Sequence, residues 1–147
     1  MAIKLKSLDK FIINKIENFT LFADENLKVF GLKKIPLIKD YKSFDLLIKM
    51  LNKKKDFFIF NINSKQRVVL IKLKKNQSQL DNERKGASFY DFCSKNDILK
   101  TSIIEDNIKL LNKNKNFIDD FLHGSLLKSY EFDKYRTKKK NYILEIN

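Results

Sequence analysis

Glycine and proline are nearly missing from this chain, with 3 and 1 copies in 147 residues. That excludes a collagen-like repeat, a flexible linker and a fold built on many tight turns, and leaves regular helices and strands to dominate. Cysteine is rarer than pairing allows: Cys93 stands alone, so no internal disulfide can form. Long hydrophobic runs are lacking too. Lys or Asn interrupts every apolar stretch before it approaches the roughly 20 residues a helix needs to cross a bilayer. The opening segment, Met1 to Lys10, is basic but has no apolar run of signal-peptide length. Together these absences point to a cytoplasmic protein with no membrane partner.

What is present is apolar bulk and positive charge. Hydrophobic residues make up 43% of the chain, enough for one domain over residues 1–147 to bury a core. The net charge is +13, the usual mark of attraction to nucleic acid or anionic lipid. Only Arg67, Arg84 and Arg136 are arginine; the rest of the positive charge is Lys. Lys keeps company here with much Asn, Ile and Phe, residues that share A/T-rich codons. Codon drift is therefore enough to raise the charge without any partner selecting it, and stands beside a binding role as an explanation of it.

Alternation of apolar and charged residues from Ala2 to Lys6 predicts a short half-buried strand. Ser7 and Asp9 offer caps for a helical turn through Phe11, Ile12 and Ile16, and Phe19 to Phe22 reads as a strand closed by polar residues as far as Asn26. Gly31 and Pro36 punctuate a loop. Ser43 is the expected N-cap of a helix whose Phe44, Leu47, Ile48 and Leu51 share one face, ending in Asn52 to Lys55. Phe57 to Ile62 and Val68 to Leu73 are strand-length apolar runs joined by a short polar turn, so they are expected to pair. A helix from Leu80 to Ser94 gathers Gly86, Phe89, Tyr90 and Cys93 on one side, which makes Cys93 a core residue. Thr101 to Ile104 is a short strand, and a third helix runs from about Asn116 to Tyr130. Gly124 inside that helix costs about 1 kcal/mol against Ala, which calls for close approach by another backbone. A last strand is expected over Tyr142 to Leu144. Strands alternating with helices predict an α/β fold, a mixed β-sheet flanked by helices.

Chemistry-bearing residues are few. A two-metal hydrolase gathers several carboxylates and imidazoles around ions about 3.5–4 Å apart, and this chain has one His and one Cys. Asp119, Asp120 and His123 fall on one side of the third helix, more fitting for an exposed ion pair than for a metal site. Cys93, among Phe89 and Tyr90, fits packing better than nucleophilic catalysis. No glycine-rich phosphate loop or nucleophile elbow occurs. The basic runs Lys53 to Lys55, Lys72 to Lys75 and Lys134 to Lys140 lie close to aromatics, and they define the alternative reading, a stand-alone Lys-rich nucleic-acid-binding module. Lys lacks a base-reading fork, so such binding is expected to be weak and non-specific.

The stretch from Phe117 to Lys140 resembles the end of the amino-terminal domain of the leucyl (cytosol) aminopeptidases, peptidase family M17. There a Gly-bearing helix runs into a Tyr-x-Phe-Asp-x-Tyr-Lys-Thr-Lys-Lys-like signature, and Gly124, Tyr130, Phe132, Asp133, Tyr135, Thr137, Lys138 and Lys139 match it in order. Arg136 replaces the usual Lys. Arg67 to Lys75 is similar to the family's strand before a Gly-rich turn, with Lys72 and Lys74 where Gly is common, and Asn82 to Ala87 is similar to the helix start that follows. The resemblance implies a macro-domain-like fold attached to a separate carboxyl-terminal catalytic domain. In the family that domain binds two divalent ions, Zn or Mn, and releases amino-terminal residues from peptides by means of a metal-bound water, and the full-length enzyme assembles as a hexamer. Its Asn-Thr-Asp-Ala-Glu-Gly-Arg motif has no counterpart here. No catalytic, cofactor-binding or metal-binding residue therefore carries over. The chain is expected to be a non-catalytic amino-terminal domain, truncated or split, whose partners are catalytic aminopeptidase domains or subunits.

Overall fold

The computed structural model describes residues 3–5, 18–31, 41–62, 64–111, 114–134 and 144–147. It is a mixed α/β fold. Six strands, β1 (Ile3–Leu5), β2 (Asn18–Ala23), β3 (Phe57–Asn61), β4 (Arg67–Lys72), β5 (Lys100–Ile103) and β6 (Leu144–Ile146), lie in the order β1-β6-β5-β2-β4-β3. All neighbours are parallel except β3, which runs antiparallel to β4. Four helices accompany them: α1 (Tyr41–Lys49), α2 (Gln79–Lys95), α3 (Glu105–Leu111) and α4 (Phe117–Lys134). No helix among the described residues is long and apolar enough to cross a membrane.

The chain forms two compact units, one of Met1–Asp9, Asn76–Thr101 and Asn114–Asn147, the other of Lys10–Lys75 and Ser102–Lys113. In the second unit β2 and β4 pair in register, Phe19 with Val68 and Leu21 with Leu70, and β3 adds Phe58 opposite Leu70. Those side chains share one sheet face, because successive residues of a strand point to opposite sides. Phe44 and Ile48 of α1 bury themselves against that face, with Leu51 and Phe60 packed at its margin. Val69, Ile71, Thr20 and Phe22, which point the other way, are fully buried as well. The continuous apolar runs in β2 and β4 thus reflect burial on both faces, as parallel strands require.

Two expectations about α1 need correcting. It begins at Tyr41, so Ser43 lies inside the helix and is not its N-cap. Leu47 is 54% exposed and not part of the inner face. The inward arc is centred on Phe44 and Ile48 with the partly buried Leu51 at its margin, and Leu47 lies beyond that margin, about 100° around the helix from Ile48. The helix ends at Lys49, three residues short of the Asn52 to Lys55 run in which its end was expected.

Helix α3 was not anticipated. It supplies Asn107, which is 1% exposed and bonds three main-chain groups of the same unit. Its Oδ1 accepts from Phe22 N at 2.7 Å, and its Nδ2 donates to Phe22 O at 3.2 Å and to Phe30 O at 2.8 Å. Alternate residues of a parallel strand bond alternate neighbours. Ala23 O is taken by Leu73 N beyond β4, so the peptide groups of Phe22 face the β5 side, where the paired registers end at Thr20 and Ile103. The carboxamide of Asn107 acts there as a substitute peptide.

In the first unit α2 and α4 pack on each other, α2 also meeting β6 and α4 meeting β1. Helix α2 starts at a capping box: Ser78 Oγ accepts from Asp81 N at 3.2 Å while Asp81 Oδ2 accepts from Ser78 N at 3.1 Å. Two otherwise orphaned donors are satisfied reciprocally. The cap at Ser78 places the first helical residue at Gln79, one residue before the predicted start at Leu80. The predicted turn through Phe11, Ile12 and Ile16, Pro36, and Tyr142 to Ile143 of the predicted last strand lie outside the described residues.

Candidate functional site

Gly86, Cys93, Asp119, Asp120, His123 and Gly124, singled out by chemistry or by resemblance, lie on α2 and α4, the pair of helices in the first unit. Gly86, Phe89, Tyr90 and Cys93 form the buried side of α2 as the periodicity predicts, and Phe117, Phe121 and Gly124 form that of α4. The rings of Phe89 and Phe121 lie 5.2 Å apart between centroids, and those of Phe117 and Phe121 5.8 Å. Cys93 is fully buried, a packing residue.

The two glycines mark where the backbones meet. A β-carbon on Gly86 would fall 1.8 Å from Phe121 O, and one on Gly124 would fall 1.9 Å from Glu83 O. Gly124 therefore has the neighbouring backbone that its cost in a helix demanded. Ser125, fully buried, donates its hydroxyl toward Gly86 O at 2.8 Å and Phe121 O at 3.0 Å, tying the crossing together. Sequence reasoning missed Ser125; the small Gly124-Ser125 pair on the face opposed to Gly86 was the available signal.

The polar edge of the same pair contains the Asp119, Asp120 and His123 cluster, but Asp120 and His123 meet different partners on α2. His123 Nδ1 lies 3.2 Å from Glu83 Oε1 on α2, with the two side chains 58% and 21% exposed. Asp120 Oδ2 accepts from Asn82 Nδ2 at 3.3 Å, and Asp119 is exposed. Glu83 also accepts from Gln79 Nε2 at 3.2 Å. Among the described residues no three His, Cys, Asp or Glu side chains come together as a metal-binding group. An exposed pair such as His123 with Glu83 adds little to stability. Glu83 and Asn82 were not foreseen as partners, because contacts between helices 40 residues apart leave no periodic trace.

The resemblance signature is only partly in view. Gly124 sits at the helix crossing and Tyr130 is 55% exposed on α4. Phe132 and Asp133 fall in the last turn of α4, while Tyr135, Thr137, Lys138 and Lys139 lie outside the described residues. Of the basic runs, Lys72 is engaged within its unit: its Nζ lies 3.3 Å from Asp56 Oδ1 and bonds to Lys53 O, with only 12% of the side chain exposed. That removes one charge from the surface proposed for nucleic acid.

No family model matches the chain, and no curated protein matches it. Among solved structures it is similar to a mutant of tomato leucine aminopeptidase, with a TM-score of 0.61 and 15% identity. The likeness covers 99% of this chain but 32% of that enzyme, so the chain spans about a third of its length. Nearly the whole chain thus shares its fold with one portion of a leucine aminopeptidase.

Proposed function

We propose that the chain serves as a non-catalytic amino-terminal domain of a leucyl aminopeptidase, working with a catalytic domain or subunits that supply the metal chemistry. The observation that carries this reading is the fold likeness, complete along this chain and partial along the enzyme. The match of Gly124, Tyr130, Phe132, Asp133, Tyr135, Thr137, Lys138 and Lys139 to the family signature supports it from the sequence side. The lone His leans the same way, since it is occupied by Glu83 and a two-metal centre needs several ligands at once.

Activity and assembly test the proposal together. The purified chain is expected not to hydrolyse leucine p-nitroanilide with added Zn²⁺ or Mn²⁺. Mixed with the separately expressed catalytic part of a leucine aminopeptidase, it is expected to co-elute on size exclusion. Chelator-sensitive turnover by the isolated chain, surviving removal of host aminopeptidases, would falsify the non-catalytic role. Failure to co-elute with any catalytic part offered would remove the proposed partnership.

A further inference from the structure

Helix α1 turns one side into the core of its unit and a second apolar side outward. Phe44 and Ile48 are buried, whereas Leu46, Leu47 and Met50 are 61%, 54% and 84% exposed. At about 100° per residue Leu46 and Met50 lie close together, opposite the buried arc, with Lys42 and Lys49 beside them. Both lysines are exposed, and the one acid on the ridge, Asp45, is paired with Lys49 at 3.0 Å. Directly after the helix come Lys53, Lys54 and Lys55, all exposed. Their turn is held in place by Asn52, whose Oδ1 accepts from Lys54 N at 3.0 Å and whose carbonyl accepts from Lys55 N at 3.0 Å. The result is a convex ridge with large apolar tips, two lysines beside it and three more in the turn that follows.

We infer that this ridge is a contact surface for an anionic lipid bilayer, Leu46 and Met50 entering the acyl boundary while Lys42, Lys49 and Lys53 to Lys55 meet the headgroups. Three lines of argument favour lipid over an acidic protein. A specific protein interface occludes about 800 Å² per partner, more than three side chains on a nine-residue helix and the residue after it present. A bilayer needs no groove complementary to a convex ridge, and apolar tips ringed by Lys are the pattern of helices that lie in the interface. Lysine also lacks the planar fork that makes Arg the better reader of a protein carboxylate, but it suffices as a point charge over diffuse headgroups. Each Lys held near such a surface strengthens partitioning about fivefold, and the chain's net charge of +13 adds attraction at longer range. The expectation of no membrane partner rested on the lack of a spanning segment, which a surface contact does not require.

Co-sedimentation with large unilamellar vesicles decides the matter, using phosphatidylcholine alone or with about 30% phosphatidylserine at about 0.1 M salt. The chain is expected to sediment with the anionic vesicles and not with the neutral ones. Leu46→Ser combined with Met50→Ser is expected to weaken that partitioning about tenfold, and Lys53→Glu with Lys54→Glu by about 25-fold or more, while circular dichroism stays unchanged because all four side chains are exposed. An environment-sensitive dye on Met50→Cys should shift to the blue on anionic vesicles, Cys93 being too buried to take the label. Unaltered binding by the double serine variant would reduce the effect to net charge and overturn the proposal. So would a parent chain that ignores anionic vesicles, whether or not it binds an acidic helical peptide.

Discussion

Gly124 on α4 lies so close to Glu83 on α2 that a β-carbon added to it would come within 1.9 Å of the Glu83 carbonyl oxygen. Helix propensity and packing therefore predict opposite signs for Gly124→Ala. Propensity favours Ala by about 1 kcal/mol, whereas ordinary contact at 3.4 Å or more requires the helices to separate and Ser125 to lose its bond across the crossing to Gly86 O. Packing wins, and a net loss of about 3 kcal/mol is expected. Urea denaturation should show a lowered midpoint; an unchanged or raised one would mean that the crossing is looser than described.

Phe121→Asp is expected to unfold the unit that contains α2 and α4. Phe121 has no exposed surface and touches both Phe89 and Phe117. An unpaired carboxylate there costs several kcal/mol, against a typical total stability of about 5–15 kcal/mol. The loss of a cooperative thermal transition in circular dichroism is the expected readout, and a melting temperature equal to the parent's would sink the assignment.

Asn107→Ala should destabilise the chain by about 2–3 kcal/mol, since one buried amide serves two groups of Phe22 and one of Phe30. Asn107→Asp gives a sharper test. The carboxylate can still accept from Phe22 N but would face the carbonyls of Phe22 and Phe30, which repel it. Burial and those carbonyls favour the protonated form, so the folded pKa of this introduced acid lies above its unfolded value. Its contribution to stability is then best below the unfolded pKa and is lost as pH rises through the folded one. Denaturant midpoints for Asn107→Asp should improve relative to the parent on acidification, and a pH-independent difference would contradict the bonding described for Asn107.

Nucleic-acid binding, if measured, is expected to be weak and indifferent to sequence, fading steeply between about 50 and 200 mM salt. Lys72 is held by Asp56 and Lys53 and contributes little to such a surface. Fluorescence anisotropy with two unrelated duplexes should give equal, salt-sensitive affinities. Tight binding to one of them near physiological salt would make recognition of nucleic acid the primary role.

Local pattern was enough to read much of this protein. The buried face of α2 follows from the spacing of Gly86, Phe89, Tyr90 and Cys93, and the pairing of β3 with β4 follows from two apolar runs separated by a short polar turn. The need for a backbone neighbour at Gly124 was legible too, because the cost of glycine in a helix is an intrinsic property of the residue. Which backbone answers that need was not, since Glu83 lies 41 positions away and distance in sequence carries no period. The same limit hid Asn107, a polar residue in a seven-residue helix whose amide matters only because β5 ends beside Phe22. It also dispersed the Asp119, Asp120 and His123 cluster: Asp120 meets Asn82 and His123 meets Glu83 on α2, while Asp119 is exposed. Sequence periodicity determines which side chains share a face, because that depends on the geometry of one element. Tertiary packing alone decided what each face meets, and so which of α1's two apolar sides is buried and which remains for a partner, because burial is a property of the pair of surfaces brought together.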